Sequence, residues 1–306
     1  MSIRIASAPA SFGVYGMTVG RPNLPDASSL ARTIAEAGYA GTELGPPAYF
    51  GDGAGTAELL AEHELALVAA MVPMRLSRDE AHEEDAEALG EALTMLEAAA
   101  AGGALPRVLL ADALVEPDRI HHAGVIEQRP ETWLPEGRLA TLLDAVHRSA
   151  ERCRERGFDV AFHHHAGTYV ETPREIARLA EAMDPSLIGL CLDAGHVAFG
   201  GGTALEVLQS YGDLVTHVHL KDVDRPLLAA VLESRGGLTR ARESGAFCPL
   251  GTGDARLEEC LAELQRRAYD GWIVVEQERL LQPDETIDRA VDEARANRAW
   301  LAERGL

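Results

Sequence analysis

No apolar run in this 306-residue chain approaches the roughly 18 to 20 residues that a membrane span requires. The opening residues, Met1-Ser2-Ile3-Arg4-Ile5, read directly as a strand and lack the basic and apolar regions of a signal peptide. The expected location is the cytoplasm. Basic residues are scarce: 28 Lys plus Arg stand against 49 Asp plus Glu, a formal net charge of −21. A field of that sign repels phosphodiester backbones and anionic lipid, which argues against nucleic acid and membrane as partners. Cysteine is rare too. The four thiols, Cys153, Cys191, Cys248 and Cys260, show no C-x-x-C spacing, and a chain of this length needs no disulfide framework. They are expected to be core or loop thiols.

What the chain has in quantity is apolar sequence, 46% of residues, enough for a large core. Short β-rich runs alternate with helical patterns from end to end. The strand-like runs are Ile3 to Ala8, Gly41 to Leu44, Leu67 to Met71, Arg107 to Ala111, Asp159 to Phe162, Ile188 to Leu192, Val215 to Leu220 and Trp272 to Val275. Eight strands each followed by a helix match a (β/α)8 TIM barrel better than an open doubly wound sheet, and no linker divides the chain, so residues 1–306 are expected to form one domain. Two connections are too long for plain βα turns: Asp112 to Pro135 after strand four, and Lys221 to Gly253 after strand seven. Both leave the C-terminal face, where segments of this size cover a site.

Metal-ligand residue types recur at the ends of four of these runs. Val160-Ala161-Phe162 leads into His163, His164 and His165; Ile188 to Leu192 leads into Asp193 and His196; Val215 to Val218 carries His217 and His219; Trp272 to Val275 leads into Glu276. In a parallel sheet the C-terminal strand ends open onto the ligand site. Residues two apart on a strand share a face, which pairs His163 with His165 and His217 with His219. A lone histidine is more often a hydrogen-bonded core residue, but four separate strands ending this way suggest one constellation. Mixed carboxylate and imidazole donors suit Mn²⁺, Co²⁺, Zn²⁺, Fe²⁺ or Mg²⁺, and the missing thiolate cluster argues against a closed structural zinc. Lys221 follows His219 at a strand end, either as an acid or hydrogen-bond donor to substrate or as half of a surface ion pair.

Glycine clusters invite other readings. Gly200-Gly201-Gly202 lacks the Lys-Ser/Thr of a phosphate loop and reads as a turn. Gly251-Thr252-Gly253-Asp254 reads as a loop ending in a helix N-cap at Asp254, and Gly38 and Gly271 as helix stops before strands. Arg240 and Arg242, in the second long connection, are candidates to receive a substrate phosphate.

The strings GTELGPPAY (41 to 49), HHHAGTYVET (163 to 172), LCLDAGHVAFGG (190 to 201), HVHLKDV (217 to 223), CPLGTGD (248 to 254) and YDGWIVVEQE (269 to 278) resemble the xylose-isomerase-like sugar isomerase/epimerase superfamily, and within it the inosose dehydratases of inositol catabolism. The resemblance spans nearly the whole chain. It implies a TIM barrel with one divalent ion, commonly Mn²⁺ or Co²⁺, at the C-terminal face. The family's Asp-x-x-His falls on Asp193 and His196, its strand-seven histidine on His219 and its strand-eight glutamate on Glu276. Where the superfamily's epimerases carry a strand-five glutamate, this chain has His163 or His164.

That departure bears on chemistry, because epimerisation by proton exchange commonly uses two carboxylates on opposite faces of the substrate. The resemblance therefore implies a metal-dependent lyase that dehydrates a keto-cyclitol such as scyllo-inosose (2-keto-myo-inositol) by β-elimination through an enediolate. Glu276 is the expected base as well as a ligand beside His163, Asp193 and His219, with His196, His165 and Lys221 as acids or orienting groups. Glu43, His217 and Arg240 are expected to bind substrate. The alternatives are a ketose epimerase or aldose–ketose isomerase on the same metal site, or a sugar-binding barrel that has lost its reaction. Expected partners are a small polyhydroxylated ketone or sugar and, in a homo-oligomer, further copies of the chain.

Overall fold

In the computed structural model residues 3–306 are described; Met1 and Ser2, the first two of the opening strand-like run, lie outside them. The first half of the chain runs β1 (Arg4–Ser7), α1 (Ala27–Glu36), β2 (Gly41–Glu43), α2 (Gly53–Glu62), β3 (Ala66–Met74), α3 (His82–Ala100), β4 (Arg107–Asp112), α4 (Pro117–His121) and α5 (Glu136–Glu155). It continues with β5 (Val160–His163), α6 (Pro173–Ala182), β6 (Gly189–Asp193), α7 (Ala194–Phe199), α8 (Ala204–Tyr211) and β7 (Val215–Leu220). Then come β8 (Asp222–Val223), α9 (Arg225–Glu233), α10 (Gly237–Ser244), β9 (Phe247–Cys248), α11 (Leu257–Arg266), β10 (Trp272–Val275) and α12 (Asp288–Ala302).

Eight parallel strands close into a barrel, β1-β2-β3-β4-β5-β6-β7-β10, with β10 returning to β1. The strands are apolar because both faces are covered: β5 and β6 are buried at every residue, packed between the lumen and the helical ring. Ile5, Val108, Val160, Leu190, Val218 and Ile273 join the amphipathic helices in the main core, while Ala6, Ala69, Leu109, Ala161, Cys191 and Val274 form a smaller cluster. Helix starts are set locally. Asp26, Asp52, Thr172, Thr203 and Asp224 each cap a helix through a side-chain oxygen, and Thr172 forms a reciprocal capping box with Glu175 around Pro173.

The long connection after β7 is a folded insertion rather than a bare loop. Its helices α9 and α10 and the antiparallel β8–β9 pair bury Val223, Leu228, Val231, Leu238, Ala241 and Phe247 against Phe199 and Ala198 of α7 and Ala123 of the other long connection. Asp254 does not cap α11: the N-cap position is Arg256, in the left-handed region at φ 57°, with no capping side chain. The Gly251-Thr252-Gly253 loop instead wraps the carboxylate of Asp222, which accepts N–H bonds from Val223, Gly251, Gly253 and Ala255. The stop after α11 also differs, because the left-handed residue there is Ala268 rather than Gly271, whereas Gly38 takes φ 89° as expected. The glycines at 200 to 202 form a turn at the end of α7. Cys153, Cys191 and Cys260 are buried free thiols and Cys248 is half-buried.

Candidate active site

Four donor side chains converge at the mouth formed by the C-terminal ends of β5, β6, β7 and β10. Strand register places Asp193 opposite His219 and Val274 opposite His219 on its other side, with Glu276 two residues further on. His163 Nε2 lies 3.1 Å from His219 Nδ1 and 3.5 Å from Asp193 Oδ2; His219 Nδ1 lies 3.3 Å from Asp193 Oδ2 and 3.2 Å from Glu276 Oε2. All four donor atoms lie within 4.8 Å of one another. A tetrahedron with bonds of about 2.1 Å has edges of about 3.4 Å, so this donor set fits one divalent ion. Asp193 is fitted for the task by its other role. As N-cap of α7 its Oδ1 accepts the His196 N–H at 2.8 Å, which leaves Oδ2, buried and without a hydrogen bond, facing the other three.

A further layer fixes the imidazoles. Glu43 Oε1 accepts from Nε2 of His219 at 2.8 Å and from Nε2 of His217 at 2.9 Å. A carboxylate on the far nitrogen is how a metal-ligating histidine is oriented and held in one tautomer. Burial opposes charge here, yet His219 and His217 hold the Glu43 carboxyl far below its ordinary range. Burial alone would lower His219, but the acids around it, Glu43 and Glu276 among them, raise it well above 6.5. Burial pushes His217 down to about 4. Glu43 and His217, expected as substrate ligands, are thus committed to each other and to His219. His164 stands outside the cluster, its ring stacked with that of His163 and its Nε2 accepting the Asp193 N–H at 3.2 Å, so His163 is the fifth-strand histidine that joins Asp193, His219 and Glu276.

A second cluster adjoins the first. His165, His196 and Glu278 bring donor atoms within 4.8 Å of one another, with the two rings 3.9 Å apart. Lys221 stands between the clusters, fully buried and not at the surface. Its Nζ lies 3.1 Å from Asp193 Oδ2, 2.9 Å from Glu276 Oε2, 3.4 Å from Glu278 Oε2 and 3.4 Å from His196 Nε2. Burial disfavours its charge, but Asp193, Glu276 and Glu278 more than offset that and raise its pKa. Burial lowers His165 to about 4 and His196 well below its usual value. Glu278 is also buried, yet Arg242 and Lys221 hold its carboxyl down to about 2.

Of the residues the sequence singles out, the structure brings together His163, His165, Asp193, His196, Lys221, His219 and Glu276, with Glu43 and His217 beneath them. Arg240 is elsewhere: its side chain is 59% exposed and pairs with Glu243 on the same helix. Arg242 does reach the mouth, but its guanidinium is taken by Glu278 rather than left open for a phosphate. Glu278 and Tyr15, whose ring faces Arg242, were not anticipated. The signal that points to Glu278 is a second acid two residues beyond Glu276 in the connection that leaves β10.

Fold and site together define a TIM barrel with a buried carboxylate–imidazole cluster at its strand ends. The chain belongs to the xylose isomerase-like TIM barrel family, whose model matches residues 31–304. Among curated proteins it is similar to inosose dehydratase of Geobacillus kaustophilus (strain HTA426), 38% identical over 152 residues, 50% of this chain and 49% of the relative. It is similar also to inosose dehydratase 2 of Bacillus cereus, 38% identical over 137 residues, 45% of this chain and 46% of the relative. The chain spans about half the length of the curated relatives it matches. Among solved structures, the IolI protein with a bound zinc atom aligns with TM-score 0.71 at 16% identity, over 99% of both chains. The probable 3-DHS dehydratase AsbF of Bacillus anthracis aligns with TM-score 0.68 at 15% identity, over 99% of this chain and 100% of that one. D-allulose 3-epimerase from Methylomonas sp. aligns with TM-score 0.67 at 17% identity, over 99% and 97%. At these identities the structural likeness is one of fold.

Proposed function

We propose that the protein is a metal-dependent dehydratase of a keto-cyclitol such as scyllo-inosose, acting in the cytoplasm on a small polyhydroxylated ketone. The observation that carries this reading is the Glu276–Lys221 contact of 2.9 Å in a site whose fifth strand offers His163 rather than a carboxylate. A carboxylate and an ammonium side by side suit elimination, which takes one proton and gives another; a symmetric carboxylate pair for epimerisation is missing. The similarity to inosose dehydratases, over half of each chain, points the same way.

His163, Asp193, His219 and Glu276 are the residues that would hold the divalent ion, Mn²⁺ or Co²⁺ ahead of Mg²⁺, Zn²⁺ or Fe²⁺. When bound it supplies Lewis acidity at the carbonyl, worth several kcal/mol. Glu276 takes the proton from the carbon beside the ketone. The C–O bond at the next carbon breaks as its hydroxyl receives a proton from Lys221 and leaves as water. His165 and His196, kept neutral by burial, orient hydroxyls, and the folded insertion excludes bulk water. Among the described residues no helix is long and apolar enough to cross a membrane.

The deciding experiment is mass spectrometry of scyllo-inosose incubated with the Mn²⁺-loaded protein. Dehydration gives a product lighter by about 18 Da with new ultraviolet absorbance, whereas epimerisation keeps the mass. A ketose converted to its stereoisomer while no keto-cyclitol loses water replaces the lyase reading with the epimerase.

A further inference from the structure

The insertion between β7 and α11 reaches the barrel mouth through the buried ring of Phe247, 5.3 Å from Lys221 Nζ, and through the half-buried side chain of Arg242. Arg242 of α10 pairs with Glu278 from Nη2 to Oε1, its guanidinium lies 5.0 Å from the Tyr15 ring centroid, and its own carbonyl accepts the Leu280 N–H at 3.1 Å. Glu278 is therefore held from behind. Its other oxygen, Oε2, is buried and accepts no hydrogen bond, and Nδ1 of His196 on the same wall has no partner either. Oε2 lies 3.4 Å from Lys221 Nζ and 3.9 Å from His196 Nε2. Buried polar atoms left unpaired are rare, because each gives up the bond it had to water.

The charges around this wall decide what can fill it. A phosphate would meet the Glu278 carboxylate, and a second dication would add its charge to that of the first ion and of Lys221 with Glu278, already paired with Arg242, as the one carboxylate in its donor group. A neutral hydroxyl meets neither objection, since it donates to a carboxylate oxygen and accepts from an ammonium or imidazole N–H. We propose that Glu278 receives a ring hydroxyl of the substrate, and that Arg242 is the positioning residue through which the insertion sets substrate specificity. This rests on the reading of the substrate as a polyhydroxylated ketone.

The test uses Mn²⁺-loaded full-length wild type, Glu278→Gln, Arg242→Met and the double variant Glu278→Gln/Arg242→Met, which keeps the pair uncharged should the single changes fold poorly. Each is assayed for turnover and calorimetric binding of scyllo-inosose and of its monodeoxy analogues. We expect Glu278→Gln to lose on the order of 30-fold in kcat/KM, as for a hydrogen bond to a charged group, with bound Mn²⁺ unchanged. One deoxy analogue should lose a similar factor with wild type and almost nothing further with Glu278→Gln. Arg242→Met should show the same reduced sensitivity at that one hydroxyl, which a merely structural role would not produce. Deoxy losses that multiply fully with Glu278→Gln at every position, or loss of Mn²⁺ from that variant, overturn the proposal. If wild type binds scyllo-inosose with this hydroxyl dependence but releases no water, the dehydratase reading fails and the Glu278 subsite stands.

Discussion

Gly195 offers the sharpest test of how the site is built, because its missing side chain is what lets Lys221 through. A Cβ added at Gly195 would lie 2.5 Å from Lys221 Cγ, 2.8 Å from its Cβ and closer still to its Cδ. Real Cβ atoms do not approach carbon so closely. The stem of Lys221 has nowhere to go, being fully buried with its ammonium fixed among Asp193, Glu276 and Glu278. Two effects oppose each other in Gly195→Ala. Alanine favours the helical conformation of α7 by up to about 1 kcal/mol over glycine. Overpacking a buried site costs about 1–3 kcal/mol. The overlap involves three consecutive carbons of one side chain, which puts the cost at the upper end and leaves a net loss of about 1–2 kcal/mol.

Urea unfolding reads this number, and a double-mutant cycle assigns its cause. With Lys221→Ala the two nearer carbons, Cγ and Cδ, are gone and only Cβ remains at 2.8 Å, so adding Gly195→Ala should cost clearly less than it does in wild type. Turnover should respond more steeply than stability, because shifting the ammonium proposed to deliver the proton by about 1 Å would cost on the order of 100-fold. A Gly195→Ala protein that is more stable than wild type and fully active, or one whose loss is the same in the Lys221→Ala background, would refute the argument.

Three further outcomes are expected. Stripping the divalent ion should abolish turnover and lower the thermal midpoint, with Mn²⁺ or Co²⁺ at 100 times its Kd restoring about 2.7 kcal/mol; rebinding should release protons, read by calorimetry in buffers of differing ionisation enthalpy. Arg119→Met should cost about 3 kcal/mol in urea unfolding, because Arg119 and Glu175 form a bidentate pair at 1% and 5% exposure and the change leaves the buried carboxylate without its counter-ion, held only by the N–H groups of Glu171 and Thr172. Burial raises Asp112 to about 7, so the folded state keeps a proton that the unfolded chain loses near pH 4. That contribution to stability is fully present below pH 4 and is lost as pH rises to 7. Stability of wild type relative to Asp112→Asn should therefore fall by about 1.4 kcal/mol per pH unit in that window and stay level above it.

The barrel was legible because strands such as β4, β5, β6 and β10 are buried on both faces and so read as apolar runs bounded by helical patterns. The metal-type cluster was legible for the same reason, as polar residues at the ends of such runs stand out. Where the sequence signal depends on short elements it fails. Arg240 and Arg242 look alike in a loop, but on helix α10 residues two apart point about 200° from each other, and only Arg242 turns inward. Asp254 has the composition of a cap, yet the four N–H groups gathered by Asp222 are the stronger organiser of that loop. Glu278 lies past the end of β10, beyond a turn in which its N–H donates to the Glu276 carbonyl, so strand alternation does not reach it.

The charge content of the mouth gives an independent reason to expect a dication. Four buried or nearly buried carboxylates, Glu43, Asp193, Glu276 and Glu278, meet only two fixed cations, Lys221 and Arg242. Two negative charges are left over in a region where uncompensated charge is costly. Protons on imidazole can offset them in part, which is why His219 is held so far above its usual pKa despite burial. A proton there, however, occupies Nδ1, the atom that faces His163, Asp193 and Glu276. A divalent ion offsets both charges, frees Nδ1 to act as a donor and leaves the Nε2 hydrogen on Glu43 undisturbed. On the proposed metal site, Glu43 and His217, below the mouth, would keep His219 in the tautomer whose Nδ1 faces the other three donors, a role that substrate contact would not explain.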